Sequence, residues 1–331
     1  MRVLRRALRV VVLAVVVLPL AAAAPVDEAP PVPPWDSALG RTHPLAGRIW
    51  PPATAAFVTP GALVTSLRDA RFVLLGEKHD NADAHRLQAW VLGALVAAGR
   101  RPAVAFEMMS VDDDPAIAQA IAAHPRDPEA IARAVNWTRS GWPDFALYAA
   151  VVRVALDAGL PIVGANLSPR VLQTLRRGGL PAVDPALRVT LGVDRPLPTE
   201  AALALFTEIR RAHCDALPDE SIERMVDVQR ARDGQMAEAL VRAGNDRGGD
   251  GAVLIAGTGH VRNDRGVPWS LRRRVPGIRI ASVAFLEVRD AETDPAAYGR
   301  EGLHDALWFT ARVDDRDPCE VFRAPRSPGR P

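Results

Sequence analysis

Glu77, Lys78, His79 and Asp80 stand together just past the apolar run Phe72–Leu75, and Asp83, His85 and Gln88 follow close behind. A solvated turn needs polar residues but rarely such a concentration of carboxylates and imidazoles. Far along the chain, Gly257-Thr258-Gly259-His260 repeats the G-x-x-H form of Gly76-Glu77-Lys78-His79. Glycine would let the backbone turn sharply at a strand end, so that the imidazole points across the edge. Between the two lies Glu107, in VAFEMMS, directly after another apolar run. A carboxylate there cannot stay charged without a histidine, an arginine or a metal beside it. Two neutral imidazoles and one carboxylate are a workable donor set for a divalent metal with a position left open. His79, Glu107 and His260 are therefore expected as metal ligands, with Glu77 as support or general base. The plain alternatives are structural ion pairs and satisfied structural histidines.

The elements that must position these groups alternate. Arg71–Leu75, Ala103–Phe106, Ile162–Ala165, Ala252–Ala256 and Ile278–Leu286 read as short strands buried on both faces. Helical spacing fills the gaps, as at Leu87, Val91 and Leu95, and again at Phe145, Tyr148 and Val152. This alternation predicts an α/β fold: a mainly parallel central sheet flanked by helices, with a mostly helical cap or insertion over 171–244. The first four strands each end in a polar group: Glu77 and His79, Glu107, Asn166, and His260. Parallel sheets place ligands beyond the carboxyl ends of their strands, so four distant segments are expected to meet at one edge.

Around that edge the reading stays divided. His85 and Gln88 fall in the first turns of the next helix, within reach, while Asp80 and Asn81 suit helix N-caps. Gln229 and Asp233, four apart with Met236 beyond, fit an exposed polar face as well as a pocket. Trp137, Trp142, Phe145 and Tyr148 cluster in a chain with 5% aromatics. They suit a core, or a wall for a flat apolar ligand with Tyr148 as an oxygen donor to iron. Leu180–Pro198 is proline-rich and reads as a long loop.

Composition narrows the class. The 331 residues suit one large domain or two small ones, and a formal net charge of +2 offers no electrostatic basis for a nucleic-acid partner. Arg2, Arg5, Arg6 and Arg9 precede the apolar run Val10–Leu20 and then four alanines, the pattern of a secretory signal peptide over 1–23; an uncleaved anchor is the alternative. Residues 24–42 read as a flexible lead-in, 43–323 as one domain and 324–331 as a disordered tail. Cys214 and Cys319 are an even pair that could bridge in an oxidising compartment, and nothing around them suggests a thiolate metal site.

RFVLLGEKHDNADAHRLQ, VAFEMM, GANLSP, HCDALP, MVDVQRARDGQMA and AGTGHVRNDRGVPWSL, in that order from about His43 to Leu271, resemble the ChaN-like haem-binding proteins of the Tiki superfamily. The resemblance implies an exported, periplasmic α/β protein that binds haem in iron acquisition. It also implies a homodimer closing around the ligand and membrane-associated uptake machinery as partner. There is no lipobox cysteine after the signal-like segment. A tyrosine axial ligand is implied at Tyr148, with His79, His85, Trp142 and His260 as further haem-site residues. The wider superfamily implies an alternative, a metal-dependent protease or esterase-like hydrolase, in which Glu77 and Glu107 would be catalytic.

Overall fold

The computed structural model describes residues 32–245 and 249–323. The expected signal peptide and tail, and the lead-in as far as residue 31, lie outside the described residues. The strands are β1 (Ile49–Trp50), β2 (Phe72–Glu77), β3 (Ala103–Ser110), β4 (Ile162–Asn166), β5 (Ala252–Gly257), β6 (Ile280–Glu287) and β7 (Ala306–Thr310). They form one sheet in the order β1-β7-β6-β2-β5-β3-β4. All pairings are parallel except that of β1 with β7. The α/β architecture with a mainly parallel sheet is therefore the one expected.

The helices are α1 (Pro60–Leu67), α2 (Ala82–Ala97), α3 (Asp114–Ala123), α4 (Pro128–Ala134), α5 (Ala149–Asp157), α6 (Pro169–Gly178), α7 (Pro185–Leu191), α8 (Thr199–Ala212), α9 (Asp219–Asn245), α10 (Val267–Arg274) and α11 (Pro318–Arg323). Side chains alternate across a strand, so each central strand feeds two layers. Val73, Leu75, Val104, Phe106, Val253 and Ile255 pack with α1, α2 and α5. Phe72, Leu74, Ala103, Ala105, Leu254 and Ala256 pack against the second half of α9 and α10. The small residues on this second face match Ala237, Ala239 and Ala243 of α9, which lets that helix lie close to the sheet. The region 171–244 is mostly helical as expected, but α9 is not only a cap: its second half covers one face of the sheet.

Two features depart from the sequence reading. The strands β1 and β7 lie beyond the expected set, although the apolar run ALWFT of β7 is wholly buried against β6. The stretch Leu180–Pro198 holds α7, because Asp184 accepts hydrogen bonds from the Ala186 and Leu187 N–H groups and Pro185 occupies the first turn, where a missing N–H costs nothing. No helix among the described residues is long and apolar enough to cross a membrane.

A disulfide joins Cys214, in the turn between α8 and α9, to Cys319 in α11, 105 positions apart in sequence. A cross-link of that span removes much of the freedom of the unfolded chain. The paired Cys214→Ser/Cys319→Ser variant should lose about 2–4 kcal/mol of stability. Urea unfolding with and without reductant checks this: reductant should lower the wild-type midpoint and leave the variant's unchanged.

Candidate functional site

Four strand ends converge on Glu107. Between Phe106 and Ser110 the pairing of β3 with β4 shifts register: Phe106 pairs with Gly164 but Ser110 with Asn166. Such a bulge re-aims the side chains within it. A Cβ at Gly164 would lie 1.9 Å from the Ser110 carbonyl oxygen, so only glycine admits this crossing. Glu107 thereby sits buried at the carboxyl edge. Its Oε2 accepts the Gly257 N–H at 2.7 Å and its Oε1 accepts Arg232 Nη2 at 2.5 Å. His260 Nε2 lies 3.2 Å from the same Oε1 and His79 Nε2 lies 3.9 Å from it.

Each imidazole has its own carboxylate. His260 Nδ1 meets Asp233 Oδ1 at 2.6 Å, and His79 Nδ1 meets Glu77 Oε1 at 2.8 Å. The result is a chain of alternating charge, Glu77–His79, Glu107, His260–Asp233, with Arg232 alongside. Arg232 Nε also donates to Asn166 Oδ1 at 3.1 Å, which brings in the fourth strand end. Gln229, Arg232 and Asp233 occupy one face of α9 at positions i, i+3 and i+4. The ambiguous polar face of that helix is thus turned inward. Arg232 and Asp233 were the residues least legible as site members; the signal was their helical phase with the buried Met236.

The glycines of the two G-x-x-H segments serve close approach rather than a sharp turn. A Cβ at Gly76, within β2, would lie 2.3 Å from Val261 Cγ2, and one at Gly257 would press on the His79 ring at 3.1 Å. Thr258 Oγ1 donates to the Glu77 carbonyl at 3.1 Å and couples the two segments directly. Asn81 caps α2 by accepting the Ala84 N–H.

His85 is buried; its Nε2 lies 3.1 Å from the His79 carbonyl and its Nδ1 lies 3.0 Å from Gln88 Oε1. Tyr148 is buried too, its hydroxyl donating to the same His79 carbonyl at 3.2 Å. Burial, with the charges of Glu77 and Glu107, pushes the Tyr148 phenol upward and keeps it protonated. The aromatic cluster therefore divides. Trp137, Phe145 and Tyr148 stack in the core, whereas Trp142 is half-buried with its ring edge-on to His79 at 4.8 Å. The His79 side chain keeps 32% of its surface exposed.

Beside Trp142 a cleft of about 550 Å³ opens between the carboxyl edge, α6 and α9. Met108, Val135, Leu172 and Val228 line it with Trp142, and Arg139, Arg176 and Arg232 bring guanidinium groups to it. A neighbouring cleft of about 520 Å³ shares Arg176, Val228 and Arg232 with the first and adds His213 and Arg224.

The metal expectation for His79, Glu107 and His260 finds no support. The three residues do meet, but both oxygens of Glu107 already accept protein donors, and the Arg232 guanidinium stands where a cation would bind. Among the described residues no group of three or more His, Cys, Asp or Glu side chains is arranged to hold a metal ion. The hydrolytic roles considered for Glu77 and Glu107 depended on such a metal, and they lose that support.

An α/β protein with a ligand cleft outside the carboxyl ends of its strands is the class that this geometry defines. The family described as "Haem-binding uptake, Tiki superfamily, ChaN" matches residues 63–271. The chain belongs to this family. Its fold is similar to that of ChaN of Campylobacter jejuni, described with cofacially bound haem, at 21% identity and a TM-score of 0.61 over 78% of this chain and 95% of that one. More distant likenesses are the type III effector HopBA1, at 15% identity and a TM-score of 0.42 over 76% of this chain and 92% of that one, and an erythromycin esterase mutant, at 16% and 0.40 over 72% and 77%. No curated protein matches the chain.

Electrostatics make the site pH-sensitive. Burial opposes the charge on His260, but Glu107 and Asp233 outweigh it and raise its pKa from 6.5 to about 9. His79 is raised in the same way by Glu77 and Glu107 against its burial. Burial also disfavours the Glu107 carboxylate, yet His260 and Arg232 hold it well below its ordinary value. A histidine raised on folding stabilises fully below its unfolded pKa and loses that contribution as pH rises through the folded one. Stability should therefore fall by on the order of 2–3 kcal/mol between about pH 6.5 and 9, with a shallower fall in His260→Gln. Thermal melts across that range check the slope. Glu107→Ala, which strands Arg232 and His260, should cost about 3–5 kcal/mol in denaturant unfolding.

Proposed function

We propose that the chain is an exported haem-binding protein that takes part in haem and iron uptake. The observation that carries the reading is the cleft beside Trp142. It joins an aromatic face and apolar walls to arginines suited to carboxylates, with the partly exposed His79 packed against Trp142. A cleft of this size lies within the roughly 300–1,000 Å³ usual for small-molecule sites. Membership of a haem-binding family supports the same ligand, and so does the cofacial haem of the Campylobacter protein.

Trp142 would lie against the ring and His79 would meet it from the sheet edge. Tyr148 and His85 would hold the His79 loop from beneath, and His260, through Glu107, would set the charge behind it. Bound haem would supply iron as cargo. Export is supported by the N-terminal pattern and by the Cys214–Cys319 disulfide, a bond that persists in oxidising compartments. A periplasmic location, a homodimer closing over the ligand and hand-over to membrane machinery belong to the same reading.

Haemin titration followed at the Soret band tests it. Wild-type protein should give a saturable shift. His79→Ala should change the position of the bound band. Tyr148→Phe should bind within about threefold of wild type, because the hydroxyl is committed to a backbone carbonyl. Absence of a saturable shift in the wild type would remove the reading.

A further inference from the structure

Arg139 and Arg176 reach the Trp142 cleft from separate elements: Arg139 from the 3-10 turn Trp137–Arg139, Arg176 from the last turn of α6. Among the described residues neither guanidinium has a hydrogen-bond or ion-pair partner. Most other arginines near the cleft are committed: Arg232 to Glu107 and Asn166, Arg224 to Glu220. Asp113, the carboxylate in the same cleft, accepts the Ser110 N–H at 2.8 Å and does not neutralise either of the two. The cleft thus carries two guanidinium groups without an ion-pair partner next to an indole face and apolar walls. That combination matches a flat apolar ring bearing two carboxylates, each of which a guanidinium can grip in bidentate fashion.

The groups that could bond to a metal at the ring's centre are, in contrast, mostly spent. The Tyr148 hydroxyl is held by the His79 carbonyl, His85 is buried between that carbonyl and Gln88, and His260 lies between Asp233 and Glu107. Of these, only His79 is partly open, and its Nδ1 is tied to Glu77.

We infer that this cleft recognises its ligand by two carboxylates and a ring face, through Arg139, Arg176 and Trp142, so that metal-free dicarboxylate tetrapyrroles bind there as haem does. The inference rests on the haem reading and sharpens it from one iron complex to a ligand class.

The experiment titrates the full-length protein in parallel with haemin, metal-free protoporphyrin IX and the dimethyl ester of that porphyrin, read by absorbance and by quenching of tryptophan fluorescence. Metal-free protoporphyrin should bind within about tenfold of haemin, and the diester at least about tenfold more weakly than the diacid. The Arg139→Ala/Arg176→Ala double variant should weaken both haemin and the diacid by about tenfold or more. Both arginines are exposed and unpaired, so the double variant should unfold at the wild-type midpoint. Saturable haemin binding with no binding of metal-free porphyrin, or equal affinity in the double variant, would overturn the inference and leave the haem reading standing. Failure of all three rings to bind would overturn both.

Discussion

The carboxylate of Glu107 is buried at the end of an apolar strand, and an isolated charge there would cost several kcal/mol or more. Its surroundings answer that cost with three donors: a backbone N–H from the last residue of β5, a guanidinium from α9 and the imidazole of His260. Because those donors come from separate parts of the chain, one charge pins β3, β5 and α9 to a common point. The bulge in β3 is what turns the carboxylate toward that point. Asp233 and Glu77 then follow, since each imidazole drawn to Glu107 needs a counter-charge on its other nitrogen.

This network also sets what the site can do. A divalent metal would have to displace Arg232, whose guanidinium is held at two points and lies over Trp142 at 5.6 Å. The charges therefore satisfy one another inside the fold, and the surface they present is a rigid support with one half-open imidazole. Beside it the turn around 137–142 and the last turn of α6 add an aromatic face and unpaired arginines. The unpaired guanidinium groups there, and not the buried network, face the cleft.

The α6–α9 region owes its position to two kinds of link. The second half of α9 packs small side chains against the sheet, while its first half, with α6 and α7, encloses a separate apolar cluster around Leu175, Leu191 and Ala231. The disulfide closes the far end by joining the α8–α9 turn to α11. The cleft thus has one wall on the sheet edge and one on helices anchored at both ends.

The strand runs, their alternation with helices and the polar residues at four strand ends were legible because burial on both faces leaves continuous apolar segments, and parallel sheets collect their ligand groups at one edge. The paired G-x-x-H segments and the isolated Glu107 marked a site by residue type alone. Sequence could not decide which way the polar face of α9 turned, because Gln229, Arg232 and Asp233 have the same helical phase whether they meet water or Glu107. Nor could it divide the aromatics: Tyr148 became core and Trp142 a wall through packing against His85 and His79, contacts made across about sixty residues or more of chain. Residue type and period thus determined the elements and the edge where chemistry would gather. Only tertiary contact decided that an arginine pairs with Glu107, since a guanidinium and a cation answer the same buried charge and residue type alone does not say which partner the fold brings within reach.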